Sequence, residues 1–186
     1  MNPAAQPAAP AQSPKSAAWP ENFAEHKAGV GCPMCGNDFT TEDIGWGLLV
    51  SKGRFSNAYL WRSGQVRGYL VAIFTVRHVA EPTEMSPEEA AGFWREAVAA
   101  GRAVEQLLRP VKMNYQLLGN AVPHAHFHIT PRYAATGDPA PGGPLPFAAL
   151  DYGRQDEGRL RADAIALRDL LAPVPEAGPD ASGVRP

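Results

Sequence analysis

Pro123-His124-Ala125-His126-Phe127-His128-Ile129-Thr130 gathers three of the chain's five histidines at alternate positions. Side chains of a strand alternate between faces, so His124, His126 and His128 are expected to project together while Ala125, Phe127 and Ile129 turn toward a core. A solvated strand face ordinarily mixes Thr, Lys, Glu and Arg, and no structural need selects imidazole repeatedly. The pattern therefore reads as chemistry carried on a buried sheet.

Working outward, the same region reads as a strand-rich domain. Trp46 to Ser51, Asn57 to Arg62 and Arg67 to Val76 are rich in Leu, Val, Tyr, Ile and Phe and are parted by Lys52-Gly53 and Ser63-Gly64 turns, which predicts a meander. Ser86-Pro87-Glu88-Glu89 supplies a cap, a Pro suited to the first helical position and a Glu three residues after the cap. Phe93, Ala97, Ala100, Val104, Leu107 and Leu108 then recur at helical steps until Pro110. Two further strands, Lys112 to Leu118 and His124 to Thr130, and a weaker helix from Asp156 to Leu171 complete an α+β reading with an antiparallel sheet of about five strands.

The chain's 186 residues fit one domain with tails. Residues 1–20 and 173–186 are dominated by Ala, Pro and small or polar residues and are expected to be disordered, because they bury too little apolar surface to offset the entropy of ordering. Between them we expect a core domain over 21–150 that carries a loop rich in Gly and Pro at 137–146, followed by a helical extension at 151–172. A formal charge of -2 removes the broad positive field expected of a nucleic-acid-binding protein. The apolar run Tyr69 to Phe74 is far short of the roughly 20 residues that span a bilayer, and no basic region followed by an apolar stretch opens the chain. The expectation is a cytoplasmic protein acting on a small molecule.

Two chemistries suit a row of imidazoles. One is a metal site, although at about 3.3 Å per residue the outer two backbone positions lie roughly 13 Å apart, so one ion would not take all three without a bend. The other is covalent catalysis, in which the middle imidazole attacks an electrophile, most naturally phosphorus, while its neighbours fix its tautomer. Separately, the chain's two cysteines fall in Cys32-Pro33-Met34-Cys35, a spacing that suits either a tetrahedral metal ion or a redox pair. Gly36-Asn37-Asp38 reads as a knuckle leading into a loop, which favours zinc over the redox motif that opens a helix.

The His-x-His-x-His run, together with Gly68-Tyr69-Leu-Val-Ala-Ile-Phe, Val76-Arg77-His78, the capped helix, Lys112 to Pro123 and Pro131-Arg132-Tyr133, resembles the histidine triad family of nucleotide hydrolases and transferases. The resemblance covers roughly residues 30–150 and looks most like the bacterial branch of diadenosine polyphosphate hydrolases. It implies that His126 forms a nucleotidyl-phosphohistidine at the α-phosphorus, that His128 and His124 support it, and that the protein is a homodimer through its helix. It also implies that Cys32, Cys35, His78 and His124 hold a structural zinc, with His26 a rival ligand. Asn114, Asn120 and Arg132 are the candidate contacts to ribose and phosphate. Trp46, Trp61 and Phe39 are candidate base-stacking groups, although strand aromatics are more often core. Tyr69 departs from the pattern, since many family members carry His there, and this departure agrees with the polyphosphate-hydrolase branch. A nucleotidyltransferase or phosphorylase with the same intermediate, or a zinc-stabilised binding module without turnover, remains an alternative.

Overall fold

Antiparallel pairing runs through all five strands: β1 (Gly47–Lys52), β2 (Ser56–Trp61), β3 (Leu70–Phe74), β4 (Lys112–Gln116) and β5 (His126–Arg132), in spatial order β1-β2-β3-β5-β4. The computed structural model describes residues 19–36, 41–62, 66–134, 138, 140, 142–145 and 155–172. Most of the two expected tails, Phe39, the Ser63-Gly64 turn, Asn37-Asp38 of the knuckle and parts of the 137–146 loop lie outside those residues. The α+β fold read from the sequence is the one observed. A short helix that the periodicity does not show, α1 (Phe23–Lys27), precedes the sheet.

Strand limits differ from the sequence reading where the backbone must turn. β3 starts at Leu70 rather than Arg67, because Gly68 adopts φ 81° in the turn before it. β5 starts at His126, two residues later than expected. Just before it, the His124 N–H bonds to the Val122 carbonyl at 2.8 Å and the Ala125 N–H to the Val79 carbonyl at 2.6 Å. His124 is thereby taken out of the strand, and the three histidines do not form one straight row.

The long helix α2 (Pro87–Leu108) has the reciprocal cap its sequence announces: Ser86 Oγ accepts from the Glu89 N–H at 3.2 Å, and Glu89 Oε2 accepts from the Ser86 N–H at 2.7 Å. It packs on β2, β3 and β5 through Phe93, Ala97, Ala100 and Val104, all buried. Glycine lets it approach closely: a Cβ at Gly92 would lie 2.3 Å from the Phe55 ring, and one at Gly101 would lie 2.1 Å from the Tyr115 hydroxyl oxygen. Glu96 on this helix closes the β1–β2 hairpin, its carboxylate accepting the backbone N–H groups of Arg54, Phe55 and Ser56 and the Ser56 hydroxyl at 2.6–3.2 Å. The final helix α3 (Glu157–Leu171) lies on β1 and α2. It is tied down by Arg62, whose guanidinium donates to Glu157 at 3.0 Å and to Asp43 at 2.8 Å.

The sheet has an apolar cluster on each face. Leu70, Ala72, Phe74, Ala125 and Ile129 pack with α2 and α3, whereas Tyr69, Val71 and Ile73 pack on the opposite face with Cys32, Met34 and Tyr59. The second face carries the histidines. Among the described residues, no helix is long and apolar enough to cross a membrane.

Candidate active site

β5 lies beside β3 with His126 opposite Ile73 and His128 opposite Val71. As expected, Ala125 and Ile129 turn to the helical face and are fully buried, which leaves His126 and His128 together on the other one. Their rings stand 4.7 Å apart at 70°, with the two Nε2 atoms 3.1 Å from one another. His126 is 5% exposed, and its Nδ1 lies 2.6 Å from the His124 carbonyl oxygen. A carbonyl only accepts, so Nδ1 carries the proton and Nε2 carries the lone pair. Burial holds the His126 imidazole below its ordinary value of 6.5 despite that backbone bond, and burial together with His126 pushes His128 down to about 4. Both rings are neutral at pH 7, which suits attack on an anionic electrophile.

A cavity of about 170 Å³ adjoins these two rings, walled by Trp61, Tyr69, Asn120 and Val122 among others. Asn120 is therefore brought to the histidines. Trp61 also reaches the site, and its Nε1 is buried without a hydrogen-bond partner among the described residues. Trp46 packs on Trp61 at 4.6 Å between ring centroids and does not line this cavity. Tyr69, which the sequence marks only as a departure from a pattern, places its hydroxyl 2.5 Å from His128 Nδ1. Its neighbourhood was readable as β-sheet, but a diagonal contact across two strands needs the register.

Asn114 and Arg132 are not brought to the histidines. Arg132, 7% exposed, donates to Asp138 through two nitrogens at 2.8 and 2.9 Å, to Asn114 Oδ1 at 2.7 Å and to the Gly143 carbonyl at 2.7 Å. Both residues line a separate cavity of about 780 Å³ with Trp94 and Tyr115, and no triad histidine borders it. The guanidinium offered as a candidate phosphate contact is bound to the chain's own carboxylate, which is held below the usual carboxylate range by that bond.

On the other side of His124, four side chains converge. The ligand atoms of Cys32, Cys35, His78 and His124 all lie within 4.8 Å of one another. Cys35 Sγ is 3.2 Å from His78 Nδ1 and 3.4 Å from His124 Nδ1, and Cys32 Sγ is 3.7 Å from His124 Nδ1. A tetrahedral ion with metal–sulfur bonds of about 2.3 Å and metal–nitrogen bonds of about 2.0 Å would set such pairs about 3.5 Å apart, so the donor set fits. The far ring nitrogens fit as well. His78 Nε2 meets the Lys27 carbonyl at 3.1 Å and His124 Nε2 the Phe74 carbonyl at 2.7 Å, which places both protons on Nε2 and leaves both Nδ1 lone pairs facing the sulfurs. His26 is not in this cluster: its Nε2 lies 2.7 Å from Nδ2 of Asn22, the residue that precedes α1.

The model of the HIT domain matches residues 57–135, from β2 to just past β5. Among solved structures, a histidine triad protein from Bradyrhizobium japonicum superposes with a TM-score of 0.61 at 21% identity, covering 68% of this chain and 91% of that one. One from Sinorhizobium meliloti gives 0.59 at 20%, covering 67% and 89%, and one from Marinobacter aquaeolei gives 0.59 at 25%, covering 68% and 89%. No curated protein matches the chain. The stretch similar to the HIT domain holds both His126 and His128, and the fold is that of the solved histidine triad proteins.

Proposed function

We propose that this protein is a nucleotide hydrolase that cleaves at the α-phosphate of dinucleoside polyphosphates such as diadenosine tetraphosphate, or of related nucleotide conjugates, with His126 as nucleophile. The observation that carries this reading is the His126 Nδ1–H bond to the His124 carbonyl, which leaves a neutral, buried Nε2 with its lone pair beside the cavity at His128. In the first step, Nε2 bonds to the α-phosphorus while the bond from that phosphorus to the bridging oxygen breaks, its electron pair departing on the polyphosphate. Water then attacks the same phosphorus, the phosphorus–nitrogen bond returns its pair to Nε2, and a nucleoside monophosphate leaves. Trp61 supplies an aromatic wall and Asn120 a polar turn at this cavity.

Cys32, Cys35, His78 and His124 are the residues that would hold zinc. A filled four-ligand site has no open position for water, so bound zinc would brace the start of the histidine strand. Both cysteines carry free thiols, as ligation of an ion requires. A homodimer is supported by β4, which is one of the two edge strands of the sheet, and by the adjoining Trp94 and Val111, which are 50% and 68% exposed.

The test is product analysis with diadenosine tetraphosphate. Wild type is expected to release AMP and ATP, and His126→Ala is expected to bind nucleotide without turnover. Turnover retained in His126→Ala removes the covalent scheme. Formation of ADP on adding inorganic phosphate would assign a phosphorylase instead, since phosphate would then replace water as the second nucleophile.

A further inference from the structure

Tyr69 is 2% exposed, stands just before β3, and lies diagonally across from His128, whose direct partner in the register is Val71. The phenol ring is stacked on the His128 ring, with centroids 6.0 Å apart and planes at 21°, and it packs on Trp61 at 5.7 Å. The tyrosine is thus fixed on two sides, and its hydroxyl has little freedom in where it points.

The protons along this line can be placed in order. His126 Nδ1 donates to a carbonyl, so His126 Nε2 is an acceptor. His128 Nε2, 3.1 Å from it, must then be the donor of that contact. A neutral imidazole carries one N–H, so His128 Nδ1 is an acceptor, and the hydroxyl 2.5 Å away donates to it. The His128 ring is held neutral by its burial, in keeping with this assignment.

We propose that Tyr69 is a positioning residue that donates to His128 Nδ1 and so keeps the His128 Nε2–H aimed at the reacting nitrogen of His126. The role rests on the nucleotide-hydrolase reading above and deepens it. When an α-phosphate enters between the two rings, the same N–H is already turned toward a non-bridging oxygen as His126 attacks. Without the phenol, His128 would populate both tautomers, and in the wrong one its bare Nε2 would face both the nucleophile's lone pair and the phosphate oxygens. The expected loss is therefore in the chemical step rather than in nucleotide capture.

The experiment uses the full chain as purified, in wild-type and Tyr69→Phe forms, the variant keeping the ring and its stacking. Nitrogen-15 spectra of the histidine side chains are expected to show His128 protonated at Nε2 and bare at Nδ1 in wild type, and a tautomer mixture in Tyr69→Phe. With diadenosine tetraphosphate, kcat is expected to fall by about 10- to 100-fold while KM stays within about twofold. A His128 protonated at Nδ1 in wild type, or an unchanged tautomer and kcat in Tyr69→Phe, would overturn the proposal. Should wild type turn over no nucleotide, the hydrolase reading fails, and the spectra still decide what Tyr69 does to His128, including in a variant too unstable for kinetics.

Discussion

The His124 carbonyl accepts the Nδ1–H of His126 at 2.6 Å, while the His124 ring points away with Nδ1 3.4 Å from Cys35 Sγ. One residue thus joins the candidate metal cluster by its side chain and the proposed nucleophile by its backbone. Loss of the cluster is expected to disturb the nucleophile even though none of its four residues lines the cavity beside His126 and His128. Purified protein is expected to contain about one zinc per chain and the Cys32→Ser, Cys35→Ser double variant none, as read by elemental analysis. The double variant is expected to lose about 3 kcal/mol, a fall in Tm of about 6–12 °C, and to lose turnover with it. Metal-free wild type with full activity would contradict this.

Acid is expected to destabilise the site from pH 6.5 downward. The unfolded chain protonates His128 near 6.5, whereas in the folded protein burial and His126 delay protonation to about 4. Stability from this residue is therefore complete above about pH 6.5 and declines as pH falls toward 4, by about 3 kcal/mol in all. Unfolding in denaturant at stepped pH checks it. His128→Asn should flatten the slope over that window, and an unaltered slope would show that another group sets it.

Removing the carboxylate of Glu96 is expected to loosen the β1–β2 hairpin. Three backbone N–H groups and one hydroxyl converge on it, so Glu96→Ala should cost about 3 kcal/mol and lower Tm by about 6–12 °C. Glu96→Gln, which keeps one acceptor oxygen, should lose less. Equal melting of both variants and wild type would contradict the assigned role.

Arg132→Ala separates a structural role from a substrate-binding one. It leaves Asp138, whose side chain is 4% exposed, without its cation, so a loss of about 3–5 kcal/mol is expected in denaturant unfolding. KM for a small nucleotide substrate should change by less than about twofold, because the guanidinium lies at a different cavity from the histidines. A large rise in KM with unchanged stability would return Arg132 to the phosphate.

Much of the fold was legible because its signals are local. Ser86 and Glu89 announce the start of α2, Pro110 follows its end, and the alternation of Ala125, Phe127 and Ile129 with histidine marks a half-buried strand. The metal cluster was legible only in part: the Cys32–Cys35 spacing suggested an ion, whereas His78 and His124 came with the family resemblance, and the structure brings all four together. What eluded the sequence depends on distant partners. Strand parity put His124 in one row with His126, but the bonds of His124 and Ala125 to Val122 and Val79 end the strand before it. Asn in a strand suggested a ligand contact for Asn114, yet its side-chain oxygen takes the Arg132 guanidinium. Tyr69 looked like an absence of histidine, and only the β3–β5 register shows that its hydroxyl reaches His128.

The strand order gives the chain's assembly a direction. β5 is the last strand in sequence, yet it lies between β3 and β4, so a nascent chain that has reached only β4 has no neighbour for that strand within the sheet. The segment that bears His126 and His128 is thus the wedge that joins the β1-β2-β3 meander to β4. Closure of the sheet and creation of the reactive centre are one event, and a chain interrupted before Pro123 would have neither.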